Sequence, residues 1–341
     1  MEYFLRCYFE HFDALPRSSL HDRRKRKSMV DYISTLIEAC SAVETDIQET
    51  CRLAVLTIIR YHEEKRGSNG TVCMMGKYHN ILYVSVKICY DWQLKDVEIV
   101  STLLETIYNC EKTFERILIG AIFGNKAPHF IAGWKCDFDT QEENLRAVVY
   151  FIDKANAAGL ELPFSVDGEE KLLRFIDLPI ENCGKASPLR VCVQLGLPDK
   201  LSILLRFGAR VHSSDKEESN VFDHILSRLL EFNHVYPYNL VSCLQLLLRV
   251  VSTVTISTNE SVILDEVKGD TLVNMIKGKY ADLIDDGLLP PSRCGLIPPE
   301  LKHLCRCCIR ERLWQNYQLP NGIRTLPVPE TLWRYLDILE D

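Results

Sequence analysis

The amino-acid sequence predicts an all-α fold, and three observations carry that expectation. Through most of the 341 residues, apolar side chains recur at i, i+3, i+4 and i+7, the period of an amphipathic helix. Between residues 80 and 158 no convincing strand ladder appears, because Asn-Gly or Asp-Gly turns between β-branched runs are missing. The stretch from Ser187 to Asp215 reads as two short helices, each entered through a proline and closed by a glycine.

Composition bounds the function. Hydrophobic residues make up 47% and charged residues 26%, the balance of a soluble globular protein. A net charge of -7 argues against nucleic acid as a partner, since phosphate binding wants a basic field. No uncharged apolar run approaches the ~18 residues of a membrane span, so no membrane partner is expected. Arg6, Glu10 and Asp13 interrupt any apolar core of a signal peptide. The 14 cysteines are scattered, and Cys40, Cys51, Cys89, Cys110, Cys192 and Cys243 lie in apolar helical runs. They read as reduced core residues of a cytosolic or nuclear protein. The sequons at Asn69 and Asn259 would then carry no glycan.

Taken in order, residues 1 to about 20 are aromatic-rich, with Tyr3, Phe4, Tyr8, Phe9 and Phe12 suited to a packing helix. The basic run Arg23 to Lys27 reads first as a solvated helix start and second as a nuclear-import signal. Ile33, Leu36, Ile37 and Cys40, then Leu53, Leu56, Ile58 and Ile59, mark two helices separated near Glu44 to Asp46. Further helices are expected at about 80–90, 95–109, 113–123 and 141–158, and the connection from Gly159 to Lys185 includes a short helix at 168–176. Ser187 caps a helix carrying Leu189, Cys192 and Val193; Gly196 breaks it. A second helix carries Leu201, Leu204 and Leu205 and ends at Gly208 as a C′ glycine. Val221 to Leu230 and Ser242 to Val251 form the next pair around an enlarged loop, Glu231 to Asn239. Thr271 to Ile284 gives one more helix before Pro290-Pro291.

The C-terminal segment opens with a helix whose Leu301, Leu304, Cys305, Cys308 and Ile309 share one face, with Lys302, His303, Arg306, Arg310 and Glu311 opposite. Pro320-Asn321-Gly322 is a turn. Leu326-Pro327-Val328-Pro329 is held extended by its prolines, and Leu332, Tyr335 and Leu336 return to helical spacing. A unit this small must have its apolar stripes covered.

Two resemblances follow from these letters. Ser-Pro-Leu-Arg-Val-Cys from Ser187, then Gly196, then Leu204-Leu205-Arg206-Phe207-Gly208-Ala209 resemble an ankyrin repeat, with Arg190 in place of the usual His and Cys192 in place of Ala. The C-terminal segment resembles the SOCS box. Leu301, Cys305 and Ile309 match its BC-box, about 299–313, with Glu300 a departure at the first position. Leu326, Pro327, Val328, Pro329, Leu332, Tyr335 and Leu336 match its cullin-5 box, about 323–338. Together they are similar to the ankyrin repeat and SOCS box family. That implies a helical cap region at 1–70, a divergent ankyrin-repeat array at 71–288, stacked because single repeats are unstable, and a small helical SOCS box at 289–341. It implies a non-catalytic subunit of a ubiquitin ligase that recruits an unspecified protein substrate. Leu301, Leu304, Cys305 and Ile309 would enter Elongin C, with Elongin B behind it. Leu326 to Leu336 would select cullin-5 with its RING subunit. The alternative is an ankyrin scaffold whose C-terminal segment is only a cap.

No catalytic constellation stands beside this. Gly70 to Lys77 has five residues between its glycines, and Tyr78 replaces the Ser or Thr of a phosphate loop. Cys305 and Cys308 lack the second pair that tetrahedral zinc would need. No metal or cofactor is therefore expected.

Overall fold

The computed structural model describes residues 2–16, 19–41, 46–68, 79–124, 138, 140–166, 168–211, 220–256 and 276–341. Asn69, Asn259, the rejected loop at 70–77 and the start of the helix expected from Thr271 lie outside them. Contacts divide the chain into two compact units, Met1–Asn182 and Cys183–Asp341.

Among the described residues the first unit is helical, with one hairpin. Its helices are α1 (Glu2–Ala14), α2 (Leu20–Ser41), α3 (Ile47–Ser68), α4 (Asn80–Asp91), α5 (Val97–Glu111), α6 (Glu115–Phe123) and α7 (Gln141–Ala157). Leu5, Phe9 and Phe12 form the buried stripe of α1, and Phe9 meets Tyr61 of α3 at 5.3 Å between ring centroids. Helix α4 is apolar nearly all round: Ile81, Leu82, Tyr83, Val84, Val86, Ile88 and Cys89 are all buried, as expected of a helix enclosed on several sides. Its neighbours are α3, α5, α2 and α1. Local signals set the boundaries. The Asp96 carboxylate caps α5 by accepting from the Ile99 amide (3.1 Å), while its other oxygen accepts from Arg52 Nε. Thr140 and Glu143 form a reciprocal capping box on α7. A Cβ on Gly120 of α6 would sit 2.3 Å from Asn144 Oδ1 of α7, so only glycine lets these helices approach so closely.

The short helix expected at 168–176 is instead a strand. Strand β1 (Glu161–Val166) pairs antiparallel with β2 (Glu169–Arg174), Val166 opposite Glu169, with Gly168 in a turn before β2. In the sequence, Asp167-Gly168 is a hairpin signal that follows residue 158. Tyr108 of α5 donates to the Pro163 carbonyl at 2.6 Å and ties the hairpin to the helices. At the end of the unit, buried Glu115 accepts from both the Asn182 amide and its side chain, at 2.7 and 2.6 Å.

In the second unit α8 (Pro188–Leu195) packs on α9 (Pro198–Arg206), α9 on α11 (Tyr238–Leu248), and α8 on α10 (Val221–Leu230), so that two helix pairs stack side by side. Ser187 accepts from the Arg190 amide, and Gly196 (φ +63) and Gly208 (φ +87) end α8 and α9 in left-handed conformations. Helix α11 starts four residues earlier than its periodicity suggests. Pro237 stands at the N-cap, and exposed Tyr238 makes the first turn hard to read as apolar. The short α12 (Ala281–Asp285), α13 (Leu301–Gln315) and α14 (Glu330–Leu336) complete the unit.

Removing the Asp96 cap tests this account of the helix starts. Asp96→Ala is expected to lower stability by about 1 kcal/mol, read as a fall in the urea midpoint with unchanged slope.

Candidate protein-docking surface

Helix α13 is amphipathic in the opposite sense to an ordinary surface helix. The middle of its charged face is turned into the protein: His303, Arg306 and Arg310 are 2%, 3% and 6% exposed, while Lys302 and Glu311 at its edges stay exposed. Its apolar face is turned out, with Leu301 75% and Leu304 37% exposed and Cys305 and Cys308 exposed beside them. Ile309 is half-buried.

The buried polar side chains are matched to carbonyls. His303 Nε2 lies 2.7 Å from the Val251 carbonyl, and its Nδ1 lies 3.0 Å from Arg306 Nη2. A carbonyl can only accept and a guanidinium can only donate, so the ring is neutral with its proton on Nε2. Burial, together with Arg293 and Arg306, pushes its pKa below the ordinary histidine value; the Val251 carbonyl and Glu300 act against this. Arg306 also donates to the Glu340 carbonyl and lies over the Tyr335 ring at 4.2 Å. Arg310 bridges two helix ends, donating Nη1 to the Leu336 carbonyl (2.8 Å) and Nη2 to the Leu205 carbonyl. Its pKa is lowered by burial to about 10, which leaves it charged at neutral pH.

Around this helix, Leu313, Leu319, Ile323 and Leu336 form a small apolar core. Ile309, Trp314, Leu326, Val328 and Trp333 pack against it. Two forked ion pairs fasten the chain end: Arg206 to Asp337 (3.0 and 2.7 Å) and Arg249 to Asp341 (2.8 and 2.6 Å). A Cβ on Gly208 would stand 2.7 Å from Trp314 Cδ1, so the glycine that closes α9 also makes room for α13. At the entrance to α13, Arg293 holds the Glu300 carboxylate at 2.8 Å and lowers its pKa to about 2.

The sequence-predicted residues therefore fall into two groups. Leu301, Leu304 and Cys305 share one outward stripe, and Ile309 sits at its inner end against the small core. In the following strap, Pro327, Pro329 and Leu332 are exposed, Leu326 and Val328 are half-buried, and Tyr335 and Leu336 are buried. What the sequence did not disclose is the role of His303, Arg306 and Arg310. Their spacing marks a polar face, and nothing in that spacing distinguishes solvent from a set of helix-end carbonyls.

The SOCS box family model matches residues 297–337. Over about half its length the chain is similar to ankyrin repeat and SOCS box protein 17. Identity is 30% over 159 residues with the protein of Canis lupus familiaris, 29% over 161 with that of Mus musculus and 32% over 162 with that of Bos taurus. Each match covers 45% of this chain and 49% of the relative, so the chain spans about half the length of the curated relatives it matches. No solved structure matches the chain.

Two measurements test the inverted helix. Arg310→Leu leaves the buried Leu205 and Leu336 carbonyls without this donor and is expected to cost roughly 3 kcal/mol, seen as a lowered melting temperature and faster proteolysis of the C-terminal segment. The lowered pKa of His303 means that the unfolded chain binds this proton more readily, so the group's contribution to stability is present above the unfolded pKa near 6.5 and is lost as pH falls. His303→Gln is expected to flatten the decline in stability between about pH 7 and pH 5.

Proposed function

We infer, from a chain whose C-terminal SOCS box and partial homology support membership of the ankyrin repeat and SOCS box family, that it is the substrate-recognition subunit of an Elongin B/C–cullin-5–RING ubiquitin ligase. One observation carries this reading: α13 presents Leu301, Leu304 and Cys305 outward while its charged face is occupied by internal hydrogen bonds. A stripe of large apolar groups on a helix that cannot rotate to hide it is what a helix-in-groove partner needs.

In this reading Leu301, Leu304, Cys305 and Ile309 enter a pocket on Elongin C. Pro327, Pro329 and Leu332 face cullin-5, with Leu326, Val328, Tyr335 and Leu336 holding the strap in shape beneath them. The stacked helix pairs hold a protein substrate. The chain contributes no reacting group: it raises the local concentration of a substrate lysine beside the ubiquitin thioester carried by other subunits.

Because Leu301 and Cys305 are exposed, Leu301→Ala with Cys305→Ala is expected to leave the melting temperature unchanged and abolish Elongin B/C co-purification. Burying one such leucine is worth about 2 kcal/mol, roughly thirty-fold in affinity, and the double variant more. Unchanged co-purification overturns the assignment and favours a simple cap. Alanine at Pro327, Pro329 and Leu332 is expected to lose cullin-5 and keep Elongin B/C; loss of both makes the strap structural.

A further inference from the structure

In the first unit, away from the docking helix, three metal-ligating side chains meet inside the helical core. His62 comes from α3, His79 from the turn that enters α4, and Cys110 from the last turn of α5. His62 and His79 are 0% and 3% exposed, and Cys110 is half-buried. One donor atom from each lies within 4.8 Å of the other two.

From this convergence we propose that His62, His79 and Cys110 form a binding site for a divalent cation of the zinc class, stapling α3, α4 and α5 together.

The distances suit a shared ion as well as the thiol–imidazole hydrogen bond that joins two of the donors without one. Cys110 Sγ stands 3.7 Å from His62 Nε2. On one tetrahedral zinc, with nitrogen at about 2.0–2.1 Å and sulfur at about 2.3 Å, two such donors stand roughly 3.6 Å apart. Drawing a ring nitrogen of His79 to the same centre takes a movement on the order of 1 Å.

Glu111, the neighbour of Cys110 on α5, adds a second argument. Its side chain is 3% exposed, it lies 2.5 Å from His79 Nε2, and it accepts from Tyr83 Oη at 2.6 Å. A carboxylate holding a histidine ring is the usual outer partner of a metal-bound histidine. Charge balances as well. On binding, Cys110 loses its proton to solvent, and the thiolate and the Glu111 carboxylate together match the two positive charges of the ion. Three protein ligands leave the fourth position of a tetrahedral ion to a ligand from outside this trio.

The site escapes a motif search because its ligands lie on separate helices, with none of the close pairs that mark zinc motifs. It is independent of the C-terminal docking reading and can fail without touching it.

The test uses the full chain, purified without a polyhistidine tag and analysed by elemental mass spectrometry. The expected result is close to one zinc per chain. Cys110→Ser and His62→Gln are each expected to lower zinc affinity by roughly tenfold or more. Cys307→Ser, on the docking helix, is expected to leave it unchanged. Alkylation followed by peptide mapping needs no variant: Cys110 is expected to be protected in the zinc-loaded chain and labelled after chelation. Zinc at background level after incubation and dialysis overturns the proposal, as does stoichiometry that Cys110→Ser leaves intact or labelling of Cys110 that chelation does not change. Any of these makes the cluster an ordinary thiol–imidazole contact within the core.

Discussion

The second unit depends on one buried guanidinium. Helices end in carbonyls that have no partner within the helix, and burying such an end without a donor costs more than most single contacts return. Arg310 donates to two helix ends at once, to the Leu336 carbonyl of α14 and to the Leu205 carbonyl of α9, which also accepts from the Gly208 amide. Its neighbours extend the same solution: His303 serves the Val251 carbonyl beyond α11, and Arg306 serves Glu340. Carbonyl dipoles and the carboxylates of Asp337 and Asp341 supply the negative field that keeps Arg306 and Arg310 charged in a place where burial works against them.

Fixing the charged face inward determines what faces outward. The hydrophobic effect alone would place Leu301 and Leu304 inside and the arginines in water. Here specific hydrogen bonds, each directional and worth more in a low dielectric, reverse the arrangement. Leu313 and the partly covered Ile309 then join α13 to the small core of Leu319, Ile323 and Leu336. The result is a helix held firmly on one side and unsatisfied on the other. In the proposed reading a partner protein completes its burial.

Much of this was legible in the sequence, and the residues show where legibility stops. Ser187, Pro188, Gly196 and Gly208 act through local backbone preferences, and the helices they bound fall within a residue or so of expectation. The outward stripe of Leu301, Leu304 and Cys305 was visible as a period, since a face of a helix is a local property. The inward role of Arg310 was not, because its partners sit far along the chain at Leu205 and on the next helix at Leu336. The hairpin at 161–174 was missed although Asp167-Gly168 announces it: Leu172 is exposed and Glu169, Glu170 and Lys171 carry no β signal, so the second strand borrows its structure from the first. His62, His79 and Cys110 were likewise unreadable together, since only the packing of α3, α4 and α5 makes them neighbours.

Gly208 gives this arrangement a consequence for quality control. The turn that closes α9 admits Trp314 of the docking helix only because it lacks a side chain, and the same turn presents the Leu205 carbonyl to Arg310. The seat of the last stretch of the polypeptide is therefore built in part from the turn that closes α9. A copy whose repeat is damaged or half-made loses that seat, and with it the rigid display of its adhesive ridge. In the proposed reading, competence to recruit is thereby coupled to the integrity of the neighbouring scaffold.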